Sequence, residues 1–362
     1  MRIHARHVTW PSFGAVVTAG AVLTVVSMVT ATPLRGQSSL QWHGYAQIRY
    51  TESSSASGFS LRRGKLWLDG PVPELDHVTF KAQGIFRDQN QGAFVLQDLY
   101  AQYRAGDVAL SVGQMVPDFS LERAQADYRI PLAERAGAVN AMVPGATTLG
   151  RDLGAQISFD PNSRVVHLSA GLFNGTGANH AATGNGAFLA TARATLTHRV
   201  TRGLAGTVGG SFEVRSADSM DVGVLLPTSA SFSGREFRWG TEAQLVARGW
   251  ALQGEYLEAH LRAAVSHGFY VLGTYALSGA NEVAVSVEQL NTPPPNARTT
   301  PWYIVGFDHL VSPSTSAASG GARLLDREDQ AAPTTLMMDF RVRTVDSVTE
   351  YQVTLQLQVF VH

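Results

Sequence analysis

From Gln41 onward, apolar and polar residues alternate with a period of two. In Gln41–Tyr50, Trp42, Ala46, Ile48 and Tyr50 share one parity, and Gln41, His43, Gln47 and Arg49 share the other. Successive side chains of a strand point to opposite faces, so this run predicts a strand with one face for lipid or core and one for water. Asp76–Arg87 repeats the pattern, with Val78, Phe80, Ala82 and Phe86 against Thr79, Lys81, Gln83 and Arg87. Gly150–Phe159 does so again, setting Leu153, Ala155, Ile157 and Phe159 against Asp152, Gln156 and Ser158. Leu204–Arg215, Phe237–Arg248, Asn281–Leu290 and Glu350–Phe360 behave alike. Counting every such run gives about sixteen strands, each taking about twenty residues with its connection.

The connections carry a second rhythm. Thr51–Gly58, Asp88–Ala93, Pro117–Leu149, Asn174–Asn185, Ser216–Gly234, Ala259–His267 and Asn291–Thr300 are long. The intervening ones, at Ala105–Gly106, Pro161–Asn162, Arg202–Gly203, Arg248–Gly249 and Ser278–Ala280, are short, and only the stretch Ser312–Pro333 breaks the order. Long loops on one side and tight turns on the other are the habit of a transmembrane antiparallel β-barrel, the all-β fold class expected here, with its long loops outside. Pro117–Leu149 has no period of its own, and its place as the third outside connection suits it to fold inward as a constriction.

Before Gln41 the chain reads differently. Arg2 and Arg6 precede an uncharged, apolar run from Phe13 to Ala31. This is the pattern of a secretory signal, with cleavage after Ala31 or Gly36. The expected organisation is therefore a signal peptide over 1–36 and one barrel domain over 37–362.

Composition narrows the function classes. Charged residues make up 16 % of the chain, below the roughly 25 % of an ordinary soluble domain. A formal net charge of −1 and the lack of any basic block give no case for nucleic acid. There is no cysteine, which removes disulfides and thiolate chemistry. None of the eleven histidines has a metal-ligand spacing, no GxSxG occurs, and no glycine-rich stretch leads into a helix. Glu255 and Glu258 fall on opposite faces of one strand. No enzyme activity, metal or cofactor is expected.

Several stretches, taken in order, resemble the phosphate-selective porin O and P family: FSLRRGKLWLDG at Phe59–Gly70, VGQMVPDFSLER at Val112–Arg123, AER at Ala133–Arg135, LGRDLGAQISF at Leu149–Phe159, GLFNGTG at Gly171–Gly177, Arg238–Tyr256, and GFYVLGTYALSG at Gly268–Gly279. The resemblance implies a sixteen-stranded, trimeric channel in the outer membrane of a Gram-negative-type envelope. It further implies an inward-folded third outside loop, and arginines and lysines that guide anions. The sequence departs from the family in having only Lys65 and Lys81 as lysines, and in following Phe360 with Val361 and His362.

The functional expectation is a passive diffusion channel for small hydrophilic, anionic or phosphate-like solutes. The alternative is a non-conducting barrel serving as adhesin or envelope scaffold. The expected partners are outer-membrane lipid, small solutes or ions, and two further copies of the chain. Pore-lining, anion-guiding roles fall to Arg63, Lys65, Lys81, Arg104 and Arg238 on strands and to Arg123, Arg129 and Arg135 in the long loop. Parity also places Arg87, Arg193, Arg341 and Arg343 inside, together with Asp98, Asp152, Glu213, Glu242, Glu255, Glu282 and Glu288. Such charges either draw counter-ions into the passage or pair with one another across the wall.

Overall fold

The structure, a computed structural model, describes residues 40–86, 93–161, 165–180, 188–201, 203–226, 231–293, 300–311 and 334–361. The signal segment, Arg87 and the connection at 312–333 lie outside the described residues. The strands are β1 (Gln41–Ser53), β2 (Ser57–Pro71), β3 (Val78–Phe86), β4 (Phe94–Ala105), β5 (Val108–Met115), β6 (Asp152–Phe159), β7 (Val166–Phe173) and β8 (Leu189–Thr201). They continue with β9 (Leu204–Met220), β10 (Phe232–Ala247), β11 (Trp250–Leu261), β12 (Ala264–Ala276), β13 (Asn281–Asn291), β14 (Trp302–Leu310), β15 (Thr335–Val345) and β16 (Val348–Val361). Each pairs antiparallel with the next, and β1 pairs with β16, so the sheet is a closed barrel. Closure leaves no strand edge, which a bilayer demands, because lipid offers no partner for an open N–H or C=O.

The parity read from the sequence becomes the two faces of the barrel. On β11, Ala251, Gln253, Glu255, Leu257, Ala259 and Leu261 are buried, while Leu252 between them is exposed. Around the barrel the exposed positions form an apolar set, among them Leu153, Ile157, Val208, Val285, Met338, Leu355 and Leu357. The buried positions include Gln47, Arg49, Asp98, Glu242, Glu288 and Gln356. A water-soluble fold would have the reverse; here the outside matches hydrocarbon.

Three departures from the simple alternation bear on the sequence reading. Between β1 and β2, Gln47 faces Arg63 and Ile48 faces Leu61, leaving Arg62 as an extra residue. Between β3 and β4, Gln83 faces Asp98 and Gly84 faces Leu96, leaving Gln97 extra. Each bulge turns two consecutive side chains to the inside, which strict parity cannot do. Finally, the connection expected at Ala259–His267 is a two-residue turn, because β11 and β12 stay paired up to Leu261 opposite Ala264. His260 and His267 therefore sit on paired strands.

Candidate functional site

The connection from β5 to β6 contains two short helices, α1 (Leu121–Ala124) and α2 (Gly137–Met142). One side of it is apolar. Phe119, Leu132, Ala136, Val139, Met142 and Val143 pack with Leu257, Ala259, Leu272, Ala284 and Ile304, the inward apolar residues of β11–β14. Burying a side chain of this size contributes about 1.5–3 kcal/mol, so this cluster fixes which wall the segment lies against.

Polar bonds fix its register on that wall. The Glu255 carboxylate accepts the backbone N–H groups of Leu121 at 3.0 Å and Glu122 at 2.7 Å, and the Tyr270 hydroxyl at 2.8 Å. Asp339 on β15 accepts the Ala133 N–H at 2.6 Å, and Glu288 on β13 accepts that of Gly137 at 2.9 Å. Backbone donors that a short helix or irregular loop cannot use internally are thus taken by wall carboxylates.

The opposite edge of the segment meets the basic side chains of β1 and β2. Glu134 pairs with Arg49 at 2.6 Å, Arg62 at 2.5 Å and Arg63 at 3.5 Å. Asp127 pairs with Arg63 at 2.9 Å, with Arg135 at 2.6 Å and with Lys65. Nearer β7 and β8, Asp118 holds Arg193 at 3.0 Å, His167 at 2.7 Å and the Ser169 hydroxyl at 2.6 Å.

These surroundings set the loop's titration. Burial works to raise the Asp118 carboxyl, but the His167 hydrogen bond and the Arg193 charge hold it at about 2. Burial likewise opposes ionisation of Glu134 and Asp127, and their arginine and lysine partners keep both well below the usual carboxylate range. Glu122 is different. Burial, reinforced by Glu255 and only partly offset by Arg135, pushes it up to about 8.

Between the segment and β1–β6 lies a cavity of about 650 Å³. Lys65, Lys81, Arg123, Arg135 and Arg151 line it against Asp69, Asp98 and Asp127, with Trp67, Tyr100 and Tyr128 among the neutral lining. Its charge is net positive. Asp98 is bonded to Arg151 at 2.8 Å, and Lys81 stands 3.6 Å away with its side chain 30 % exposed. Among the five cations lining the cavity, Lys81 holds its protein partner least closely.

The sequence-derived residues divide accordingly. Lys65, Lys81, Arg123 and Arg135 line the cavity, and Arg63 stands behind them on Asp127. Much of the donor capacity of Arg123 and Arg135 serves the loop itself: Arg123 bonds the Leu149 and Gly150 carbonyls, and Arg135 bonds those of Glu122 and Gln125. Arg129 lies over the Tyr128 ring at 5.5 Å. Arg104 is exposed at the end of β4, beside the turn to β5. Arg238 sits apart, on the far wall, where it is buried between Glu213 and Glu236 and donates to the Met142 and Val143 carbonyls at the end of α2. Arg49, Arg62 and Arg151 belong to the cluster although they were not singled out from the sequence. Arg49 was visible in the polar parity of its strand. Arg62 was hidden by the bulge, and Arg151 lies just outside a strand. Among the described residues no group of His, Asp and Glu is arranged to hold a metal ion.

A closed antiparallel barrel, apolar outside and charged within, with a long connection packed on its inner wall, defines an outer-membrane channel protein. The chain belongs to the phosphate-selective porin O and P family, whose model matches residues 40–294. Among solved structures it is similar to OprB of Pseudomonas putida at high pH, with 11 % identity, TM-score 0.62, and 95 % of this chain and 97 % of that one covered. It is also similar to an anion-selective porin from Comamonas acidovorans, with 11 % identity, TM-score 0.61, and 89 % and 99 % covered. A third is the trimer form of OmpT, an outer-membrane protein of Vibrio cholerae, with 9 % identity, TM-score 0.57, and 89 % and 99 % covered. No curated protein matches the chain. At these identities the solved structures speak for the fold, and family and fold together place the protein in the outer membrane as a channel.

Proposed function

We propose that the protein is a passive diffusion pore that prefers small hydrophilic anions, with the connection Pro117–Leu149 as its constriction. The observation that carries this reading is the cavity beside that connection, where five cationic side chains face three carboxylates. In a narrow, low-dielectric-walled passage such an excess raises the local concentration of counter-ions, whereas on an open surface salt screens it within about 8–10 Å. Lys65, Lys81, Arg123 and Arg135 carry the role directly. Arg63 and Arg238 support it by holding the loop, Arg129 stands over the Tyr128 ring within it, and Arg104 stands at the mouth of the same wall. With Lys65 and Lys81 the only lysines, the arrangement favours a general anion preference over a dedicated phosphate site built of several lysines. One structural neighbour is described as a trimer, and we read this chain as a homotrimer too.

The test is the reversal potential of the purified protein in a planar bilayer across a potassium chloride gradient. Anion preference is expected, and Lys81→Glu should move the potential toward cations. A cation-preferring parent, or a barrel that does not conduct, overturns the reading.

A further inference from the structure

The ionisable side chains on the inner wall are not mixed evenly around it. On β1–β4, leaving aside Arg104 at the rim, the inward set is Arg49, Arg62, Arg63, Lys65 and Lys81 against Asp69 and Asp98. On β11–β15 the excess is reversed, with Glu255, Glu282, Glu288, Asp308 and Asp339 against Arg341 and Arg343. The lumen is divided into a basic side and an acidic side.

The long connection does not treat the two sides alike. Its apolar cluster and three of its hydrogen-bonding seats, Glu255, Glu288 and Asp339, are on the acidic side. All five carboxylates there are buried; on the basic side Arg49, Arg63 and Lys65 are buried too, paired with Glu134 and Asp127 of the connection, while the Lys81 side chain stays 30 % exposed. A cavity of about 650 Å³ is lined from β1–β6 and the loop. We propose that this connection sets ion preference by position: it covers the acidic half of a charge-divided lumen and confines the solute path to the basic half.

The net charge of the segment to be removed is not what does this. Residues 125–143 contain Asp127 and Glu134 against Arg129 and Arg135, so their net formal charge is zero. What matters is which wall charges an ion passes within a screening length, and a wall charge beneath a packed apolar segment is out of reach of the path. This inference rests on the anion-preferring pore proposed above and assigns the source of that preference.

Because removing 125–143 changes no net charge, the deletion is a clean test. Reversal potentials would be measured in planar bilayers for the full chain, for the chain lacking 125–143, and for that deletion combined with Glu255→Gln, Glu288→Gln and Asp339→Asn. The deletion is expected to raise conductance and to bring the anion-to-cation permeability ratio down toward unity. The three neutralising substitutions should then restore anion preference in the wide pore. A deletion that keeps or increases the anion preference overturns the inference, since Arg49, Arg62 and Arg63 are uncovered by the same cut. If instead the full chain shows no anion preference, the proposed function fails. The covering role is then judged separately, by whether the deletion shifts the ratio toward cations and the substitutions shift it back. Should the deleted chain fail to assemble, replacing 125–143 by a glycine–serine segment of equal length gives the same comparison, because it removes the apolar cluster that seats the loop.

Discussion

The ring of Tyr128, in the long connection, is within 5° of parallel to the ring of Trp67 on β2, with centroids 6.2 Å apart. Tyr45 and Phe360 close around the same tyrosine at 5.5 Å and 5.0 Å, each nearly edge-on to it. Aromatic pairs of this kind contribute about 0.5–1.5 kcal/mol beyond the area they bury. Tyr128→Ala should therefore free this part of the loop, seen as larger open-channel current noise in single-channel records. Tyr128→Phe keeps the rings and should match the parent. A quiet Tyr128→Ala channel would show that the loop is held entirely from its other side.

Loop docking should have an acid limit and an alkaline one. Asp118, Glu134 and Asp127 are depressed in the docked loop, so their contribution is present above the ordinary carboxylate range and is lost as pH falls toward about 2, where Asp118 titrates. Glu122 has the opposite sign. Its docked carboxyl is raised from 4.5 to about 8, so the docked state loses ground as pH rises across that interval, and the loss is complete above it. Channel noise is expected to rise above pH 8, and Glu122→Gln should remove that rise. An alkaline step that persists in Glu122→Gln assigns it to another group.

The lipid face can be checked by a pair of arginines. Leu355 is exposed in the middle of β16, between Tyr50 and Met338 of its neighbours. Arginine on that face costs about 2–4 kcal/mol at the bilayer midplane. Gln102 faces the cavity and bonds the Ser111 hydroxyl. Leu355→Arg should reduce the heat-modifiable, folded band on gels far more than Gln102→Arg. Equal yields would mean that the faces are exchanged.

Gly113 offers a test of close strand packing. Its φ is +136°, and an added Cβ would stand 2.2 Å from the Leu99 carbonyl oxygen and 2.6 Å from the Tyr100 Cα. Neither neighbour can yield, since both are backbone of the paired strand β4. A residue forced into such a conformation costs about 1–3 kcal/mol before any clash. Gly113→Ala should lower the melting temperature of the folded barrel, while Gly64→Ala, with open space at the Cβ position, should not.

How far the sequence discloses these features depends on whether they are local. Strand number, faces and most turns follow from a period of two, because in a membrane barrel each face meets a different solvent along the whole strand. The period fails where the backbone gains a residue, and so Arg62 and Gln97 were not assigned to the inside. It also misreads the outer end of β11–β12. There the carboxylate of Glu258, on the outer face, accepts from Trp239 and Tyr256 and lies 2.6 Å from the His260 Nε2. Polar residues on that face look like loop, although the backbone is still paired. The division of the lumen was present in the residue list as a mixture of signs. What separates the signs is their placement on different stretches of the ring, β1–β4 and β11–β15. Likewise, Arg238 reads as a lumen cation by parity, and only the course of the long connection places it underneath α2.

The surroundings of Tyr128 have a bearing on the order of folding. Tyr45 is on the first strand, Phe360 is on the last, and Gln358 beside it donates to the Tyr128 carbonyl. This pocket is complete only after β1 and β16 have zipped together, the contact of greatest sequence separation in the chain and the slowest kind to form. While the barrel is still an open sheet, Tyr128 has Trp67 of β2 to pack on but lacks Phe360 and the Gln358 donor. The surroundings of Tyr128 are thus completed by the same pairing of first and last strands that seals the wall.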